Sequence, residues 1–407
     1  YIDPEASEEQ SYMVYTRKNL PEATPFECLF DDYNSIPNSK AKELSSKAVN
    51  ANDGKLRKFR LAVATTGEYS QFHLADQGIN EGASTEVKKE AVLDAIVTTM
   101  IRVNGIFERD MGLTMELVEN NSEIIFLDAA TDGFTNDDGS LLIDEGQNVI
   151  SNVIGVDNYD IGHTFSTGGG GLAQINSPCT ANKARGVTGS NTPKGDPYYI
   201  DFVAHEMGHQ FGAHHSFNGE SGSCAGNGNS GTAVEPGSGS TIMAYAGLCA
   251  PHNVMAESDV YFHLVSIREM WNNISNGNSD CAEAIITGNE APVLPEIGDY
   301  TIPVGTPFVL KTVATDGNDD QMTYTWEQLD IESTSYPLVS TATQGPAFRS
   351  LRPTSSGARY FPDQNTVIAG DLSNTWEVIP TVSRTMRFGV TVRDNNIQGG
   401  QTNSEET

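Results

Sequence analysis

The chain has 407 residues, of which 38% are hydrophobic and 39 are glycine, with a formal net charge of −30; it is long enough for two or three loop-rich domains. That charge excludes nucleic acid and anionic membranes as partners, and no apolar run nears the eighteen or so residues of a membrane span. The acid surplus reads as a solubilising surface, with spare carboxylates that make calcium a candidate ligand.

The chain opens at Tyr1 with neither an initiator methionine nor a signal peptide, which predicts a processed product whose export signal is gone. Residues 1–33 look like a remnant of something larger, with a short hairpin in "YIDPEASEEQSYMVYTRKNL". Residues 34–56 are polar and carry no sustained apolar period, so they read as a linker. The first convincing strand opens near Phe59. Residues 84–110 then place Val92, Leu93, Ile96, Val97, Met100, Val103, Ile106 and Phe107 at helical spacing.

"LTMELVENNSEIIFL" (113–127) returns to strand composition, and "TNDDGS" (135–140) turns the chain into a helix over Leu141 to Val153. A strand, a glycine hinge at 168–171 and another short strand follow in "NYDIGHTFSTGGGGLAQI". Residues 200–211 and 258–275 read as helices. The order predicts an α/β (α+β) domain over 57–286 with a mixed sheet. From 289 to 407 the texture changes to prolines, glycines and alternating β-branched residues, which predicts an all-β sandwich of immunoglobulin or cadherin type.

"HEMGHQFGAHH" (205–215) carries the chemistry. His205 and His209 stand four apart, so a helix projects both imidazoles from one face. Zinc in a catalytic site takes three protein ligands and leaves a fourth position to water. Gly212 can break the helix in left-handed space, which brings His215 round as the third ligand; His214 has the wrong offset and reads as a packing residue. Glu206 then lies beside the metal as a general base for that water. A structural zinc site would fill the fourth position with a residue and would not need Glu206.

The extended HExxHxxGxxH pattern, complete here, resembles that of the metzincin metallopeptidases. Among these the chain is most similar to the reprolysin or adamalysin group in a bacterial-style version, over roughly residues 57 to 285. The resemblance implies a mostly parallel sheet, a zinc-binding helix and one catalytic Zn2+. It also implies a methionine turn beneath the metal, supplied by Met243 in "GSTIMAYAG". "GLAQINSPC" resembles the edge strand over the cleft, so Gly171, Leu172 and Ala173 are expected to pair with an extended substrate. Tyr245, two residues after Met243, departs from typical reprolysins and resembles the oxyanion-stabilising tyrosine of astacins and serralysins.

Five cysteines stand far apart with no CxxC pair. The resemblance implies the bridges Cys179–Cys281 and Cys224–Cys249, although the sequence alone allows other pairings. Cys28 is left over: by position it is a candidate cysteine switch, its thiolate displacing the catalytic water, with an inert buried cysteine and an intermolecular bridge as the other readings. Activation would then cut the linker, near the basic "KLRKFR". Clustered acids at Asp316, Asp319, Asp320 and Asp394 are candidate calcium ligands.

The expected protein is a secreted, monomeric zinc endopeptidase that hydrolyses internal bonds of protein or peptide substrates. Two alternatives belong to other classes: an inactive adhesin on the same scaffold, and a zinc amidase acting on cell-wall peptides.

Overall fold

A computed structural model describes residues 2–4, 12–14, 28 and 50–407. Strands β1 (Ile2–Pro4) and β2 (Tyr12–Val14) pair antiparallel within the expected N-terminal hairpin. Most of residues 1–33 and 34–56, where the remnant and linker are expected, lies outside the described residues.

The main sheet is built on β3 (Lys55–Thr65), eleven residues long and wholly buried over its second half. Thr66 caps the short helix α1 (Gly67–Asp76), which no clear apolar period announces in the sequence. The long helix α2 (Thr85–Met111) starts at a Ser84 cap and stops at Gly112, whose φ of 55° suits a glycine. Its apolar period buries Val92, Ile96, Met100, Val103, Ile106 and Phe107 against the sheet, while Val97 faces out.

The predicted strand over 113–127 ends early, as β4 (Leu113–Leu117). A 3-10 turn at Asn121–Ile124 takes over, because the Asn121 side chain pairs with both the N–H and the C=O of Val63 in place of backbone. Helix α3 (Gly139–Ile150), capped by Asp138, leads through a π-helical turn to β5 (Ile161–Ser166). Edge strand β6 (Gly171–Ala173) and the unexpected β7 (Gly186–Gly189) complete the order β4-β3-β5-β7-β6. β3 runs parallel to β4 and β5, and β5 parallel to β7, while β6 is antiparallel to β7. The sheet is therefore mixed and mostly parallel, as expected.

Helix α4 (Asp196–Tyr198) winds through a π-helical turn at Tyr199–Ala204 into α5 (His205–Phe211). The helix expected over 258–275 begins only at Leu264 as α6 (Leu264–Asn276), because residues 258–263 form bends rather than helical turns and His263 caps the helix. Strand β8 (Glu283–Ile286) returns antiparallel to Lys55–Lys58. "KLRKFR" is thus an interior segment of the sheet, and Thr402 and Ser404 hold the preceding Ala51 and Asn50. A cut within these residues would require the sheet to unfold; most of the linker, where the cut is expected, lies outside the described residues.

The C-terminal β-region contains β9 (Phe308–Lys311) paired with β11 (Ala358–Phe361), and β10 (Thr323–Gln328) with β14 (Phe388–Arg393) and β15 (Thr402–Glu406). A five-residue helix α7 (Gln364–Ile368) and a two-residue pair, β12 (Ser373–Asn374) and β13 (Glu377–Val378), lie between them. Leu310, Trp326, Phe348, Phe361, Phe388 and Val390 form one apolar core, separate from that of the main sheet. No helix among the described residues is long and apolar enough to cross a membrane.

Candidate metal centre

Helix α5 sets His205 and His209 on one face, one turn apart. Gly212 ends it with φ 118°, and a Cβ there would come within 2.5 Å of Asn176 Oδ1. Its N–H bonds back to Gly208 O and His209 O, and the chain reverses to bring in His215. The three Nε2 atoms then converge: 3.1 Å for His205–His209, 3.1 Å for His209–His215 and 3.3 Å for His205–His215.

Each Nδ1 meets a backbone carbonyl at 2.7 Å, of Ile242, Ala213 and Asn227 for His205, His209 and His215 in turn. A carbonyl has no proton to give, so each Nδ1 donates, and the neutral ring turns a lone pair from Nε2 toward the centre. Burial holds His209 well below its ordinary pKa, with His215 and His205 adding to the effect. Three lone pairs facing one another repel unless a cation stands between them. Nitrogens roughly 2.0 Å from a tetrahedral zinc stand about 3.3 Å apart, so the donor set fits zinc.

Cys28 comes to the same point. Its Sγ is 3.9 Å from Nε2 of both His209 and His215, and the four donor atoms lie within 4.8 Å of one another. The Cys28 backbone bridges Gly171 of β6 in parallel sense, which places it along the edge strand. Glu206 is completely buried beside this cluster, and neither carboxylate oxygen has a well-formed hydrogen bond among the described residues. Burial pushes its carboxyl up to about 8, with the neighbouring Cys28 thiol pulling the other way. A dication at the histidines would favour its charged form strongly.

Met243 lies under α5, so close that a Cβ on Gly208 would come within 2.5 Å of Met243 Sδ. The Tyr245 ring packs on His215 at 4.5 Å and on Phe217 at 4.6 Å, and its hydroxyl donates to Cys28 O at 3.4 Å. His214 is turned away to Glu269, which accepts from its N–H and faces its Nδ1, both at 2.9 Å. Disulfides join Cys179 to Cys281 and Cys224 to Cys249, the two pairs that the resemblance implies. Of the clustered acids, Asp316, Asp320 and Asp394 come together, while Asp319 stays outside with φ 61°.

Glu235 is a part of this site that the sequence does not announce. Its carboxylate accepts from the hydroxyls of Ser216 and Thr241 and from the N–H groups of Ser240 and Thr241. It ties the segment after His215 to the turn before Met243. A single acid among small residues in "TAVEPGSGS" carries no spacing signal that could have singled it out.

No curated protein matches the chain. Residues 56–273, more than half of the chain, match the family described as Metallo-peptidase family M12B Reprolysin-like. With three histidines arranged around one zinc-sized point, the chain belongs to the M12B reprolysin-like metallopeptidases, a zinc-dependent metzincin family.

Proposed function

We propose that this protein is a secreted zinc endopeptidase with His205, His209 and His215 as ligands and Glu206 as general base. The observation that carries the reading is the convergence of three Nε2 lone pairs beside a buried carboxylate. Zinc bound there supplies Lewis-acid polarisation of the scissile carbonyl and a more acidic water. Glu206 takes the proton as that water attacks and delivers it to the departing amine, so the peptide C–N bond breaks without free charge on nitrogen. The Tyr245 hydroxyl donates to the carbonyl oxygen as negative charge grows on it. Its contact with Cys28 O supports this, since that oxygen is a peptide carbonyl lying in the cleft. Gly171, Leu172 and Ala173 offer a sheet edge to an extended substrate.

Residues 1–33 act as a propeptide with Cys28 as its latch, ahead of a linker over 34–56, a catalytic domain over 57–286 and an immunoglobulin-like sandwich over 289–407. The proximity of Cys28 Sγ to two of the histidines supports the latch. Two disulfides fit an extracellular location, and the enzyme acts as a monomer. Asp316, Asp320 and Asp394 take up calcium in the sandwich.

The test compares the chain carrying Cys28→Ala, which lacks the latch, with its Glu206→Gln variant on denatured casein, with zinc content measured in both. The reading holds if both bind one zinc and the variant loses at least about a thousandfold in kcat. Equal cutting by both, or a Cys28→Ala chain without zinc, overturns it.

A further inference from the structure

The carbonyl that orients His205 belongs to Ile242, in a stretch that has no helix or strand of its own. Between the 3-10 turn at Gly222–Cys224 and α6, the chain forms no named element over some of its most buried residues. A ligand-orienting carbonyl placed there keeps its position only through contacts with other parts of the molecule.

Those contacts form a second layer behind the turn. Ile242 N donates to Tyr261 O at 3.2 Å, and Asp259 N donates to Ser240 O at 2.6 Å. The layer is fastened in turn by the C-terminal β-region. Arg352 Nε donates to the carboxylate of Asp259, and Arg349 approaches that carboxylate at 3.9 Å. The Tyr261 hydroxyl donates to Leu351 O at 3.1 Å, and the Ser240 hydroxyl donates to Ser350 O at 3.4 Å. Asp259 is 2% exposed and Tyr261 not at all. Four consecutive residues, 349–352, thus grip both ends of the support behind the turn.

We propose that residues 349–352 of the C-terminal β-region are a structural part of the metal centre. They position the turn 240–243 and, through Ile242 O, the imidazole of His205. Arg352 and Tyr261 are positioning residues in this arrangement; neither touches the metal ligands. The β-region is then more than a spacer, because the zinc site is incomplete without it. The inference rests on the reading that His205, His209 and His215 hold zinc.

The test uses the full chain and measures zinc affinity by competition with a chromogenic chelator, together with the visible spectrum of the cobalt form. The double variant Arg352→Ala/Tyr261→Phe should bind zinc about tenfold more weakly, the lower end of what support of a metal ligand contributes. Its cobalt band should shift. Arg352→Lys/Tyr261→Phe should recover part of the affinity, because a lysine still reaches the Asp259 carboxylate. Arg268→Ala serves as the control: it breaks a contact of α6 with Glu406 and Ser404 across the same interface, away from the turn. That variant should lose thermal stability and keep the affinity and the spectrum. Wild-type affinity and spectrum in the double variant overturn the inference alone, as does an equal loss in Arg268→Ala. A wild-type chain that binds no zinc overturns the functional reading, and this inference with it.

Discussion

Arg393 and Asp110, 283 positions apart in the chain, meet at 2.8 Å with neither side chain exposed. Arg393 ends β14 and Asp110 lies in the last turn of α2, so the pair pins the C-terminal β-region to the main helix of the α/β fold. Asp110 also accepts from Phe262 N, and Arg393 donates to Phe262 O, which fixes the irregular run ahead of α6. Removing one partner of a buried pair strands the other charge away from water. Arg393→Met should therefore lower unfolding stability by about 3 kcal/mol, read as a fall in the urea midpoint. An unchanged midpoint would mean that Arg109 alone satisfies Asp110.

The same pair predicts how stability depends on acid. Burial works to raise the Asp110 carboxyl, but Arg109 and Arg393 outweigh it and hold it at about 2, against an ordinary 3.8. A carboxyl lower in the folded than in the unfolded chain stabilises the fold at every pH above its unfolded value. That contribution, on the order of 2 kcal/mol, drains away as pH falls from about 4 to about 2. Unfolding curves for wild type and Asp110→Asn should therefore differ at pH 7 and converge at pH 2. A gap of constant size across that range would contradict this account.

Gly208 lies between the two helical histidines with its α-carbon against Met243. A Cβ there would come within 2.5 Å of the sulfur, well inside contact, so the buried Met243 side chain, its turn or α5 must move. Overpacking of this kind costs about 1–3 kcal/mol. Gly208→Ala should lower the thermal midpoint and weaken zinc binding together, although alanine is the better helix former. If zinc affinity stays at the wild-type level, the contact is one of packing only.

How much of this can be read from the chain follows from the range of each signal. His205, Glu206, His209, Gly212 and His215 sit within eleven residues, and helical periodicity with one glycine break suffices to gather their side chains. The apolar spacing of α2 is equally local. Other parts carry no local pattern. β7 is four residues, "GVTG", half of them glycine, and alternation cannot show in so short a run. The start of α6 is hidden because the irregular residues ahead of it, Asp259, Tyr261 and Phe262 among them, are buried by packing with the β-region rather than by any period of their own. Glu235 acts through backbone N–H groups, and Ile242, Ala213 and Asn227 through carbonyls, which every residue possesses. Contacts such as Arg352 with Asp259 join segments 93 positions apart, a distance that one sequence does not encode visibly.

The two disulfides should contribute unequally. Cys179–Cys281 spans 102 positions and Cys224–Cys249 only 25. Closing a longer loop removes more freedom from the unfolded chain, about 4.7 kcal/mol for a hundred residues against about 3 kcal/mol for fifteen. Cys179→Ser/Cys281→Ser should therefore lose roughly 1 kcal/mol more than Cys224→Ser/Cys249→Ser by urea unfolding. The reverse order would mean that native-state contacts of the shorter loop, which contains the turn carrying Met243, outweigh the entropy of loop closure.

The last prediction concerns Cys28, whose thiol lies 3.9 Å from two of the three histidine nitrogens. A thiolate ligand takes the position that the attacking water needs, and the residues proposed to handle the substrate are engaged as well. Cys28 bridges Gly171, on the edge that would pair with a peptide, and its carbonyl accepts from Tyr245. Cys28 thus faces the metal position, the sheet edge and Tyr245 at once. Replacing the sulfur by a hydrogen removes only the first of these contacts. Cys28→Ala in the full chain should cut a short fluorogenic peptide at least about tenfold faster than the wild type, because a weaker obstacle is displaced more often. It should remain slower than a chain from which the N-terminal segment has been removed, because the backbone at position 28 still bridges Gly171 of β6. Equal rates for Cys28→Ala and wild type would leave the thiol without a part in latency and assign any inhibition to the segment's backbone alone.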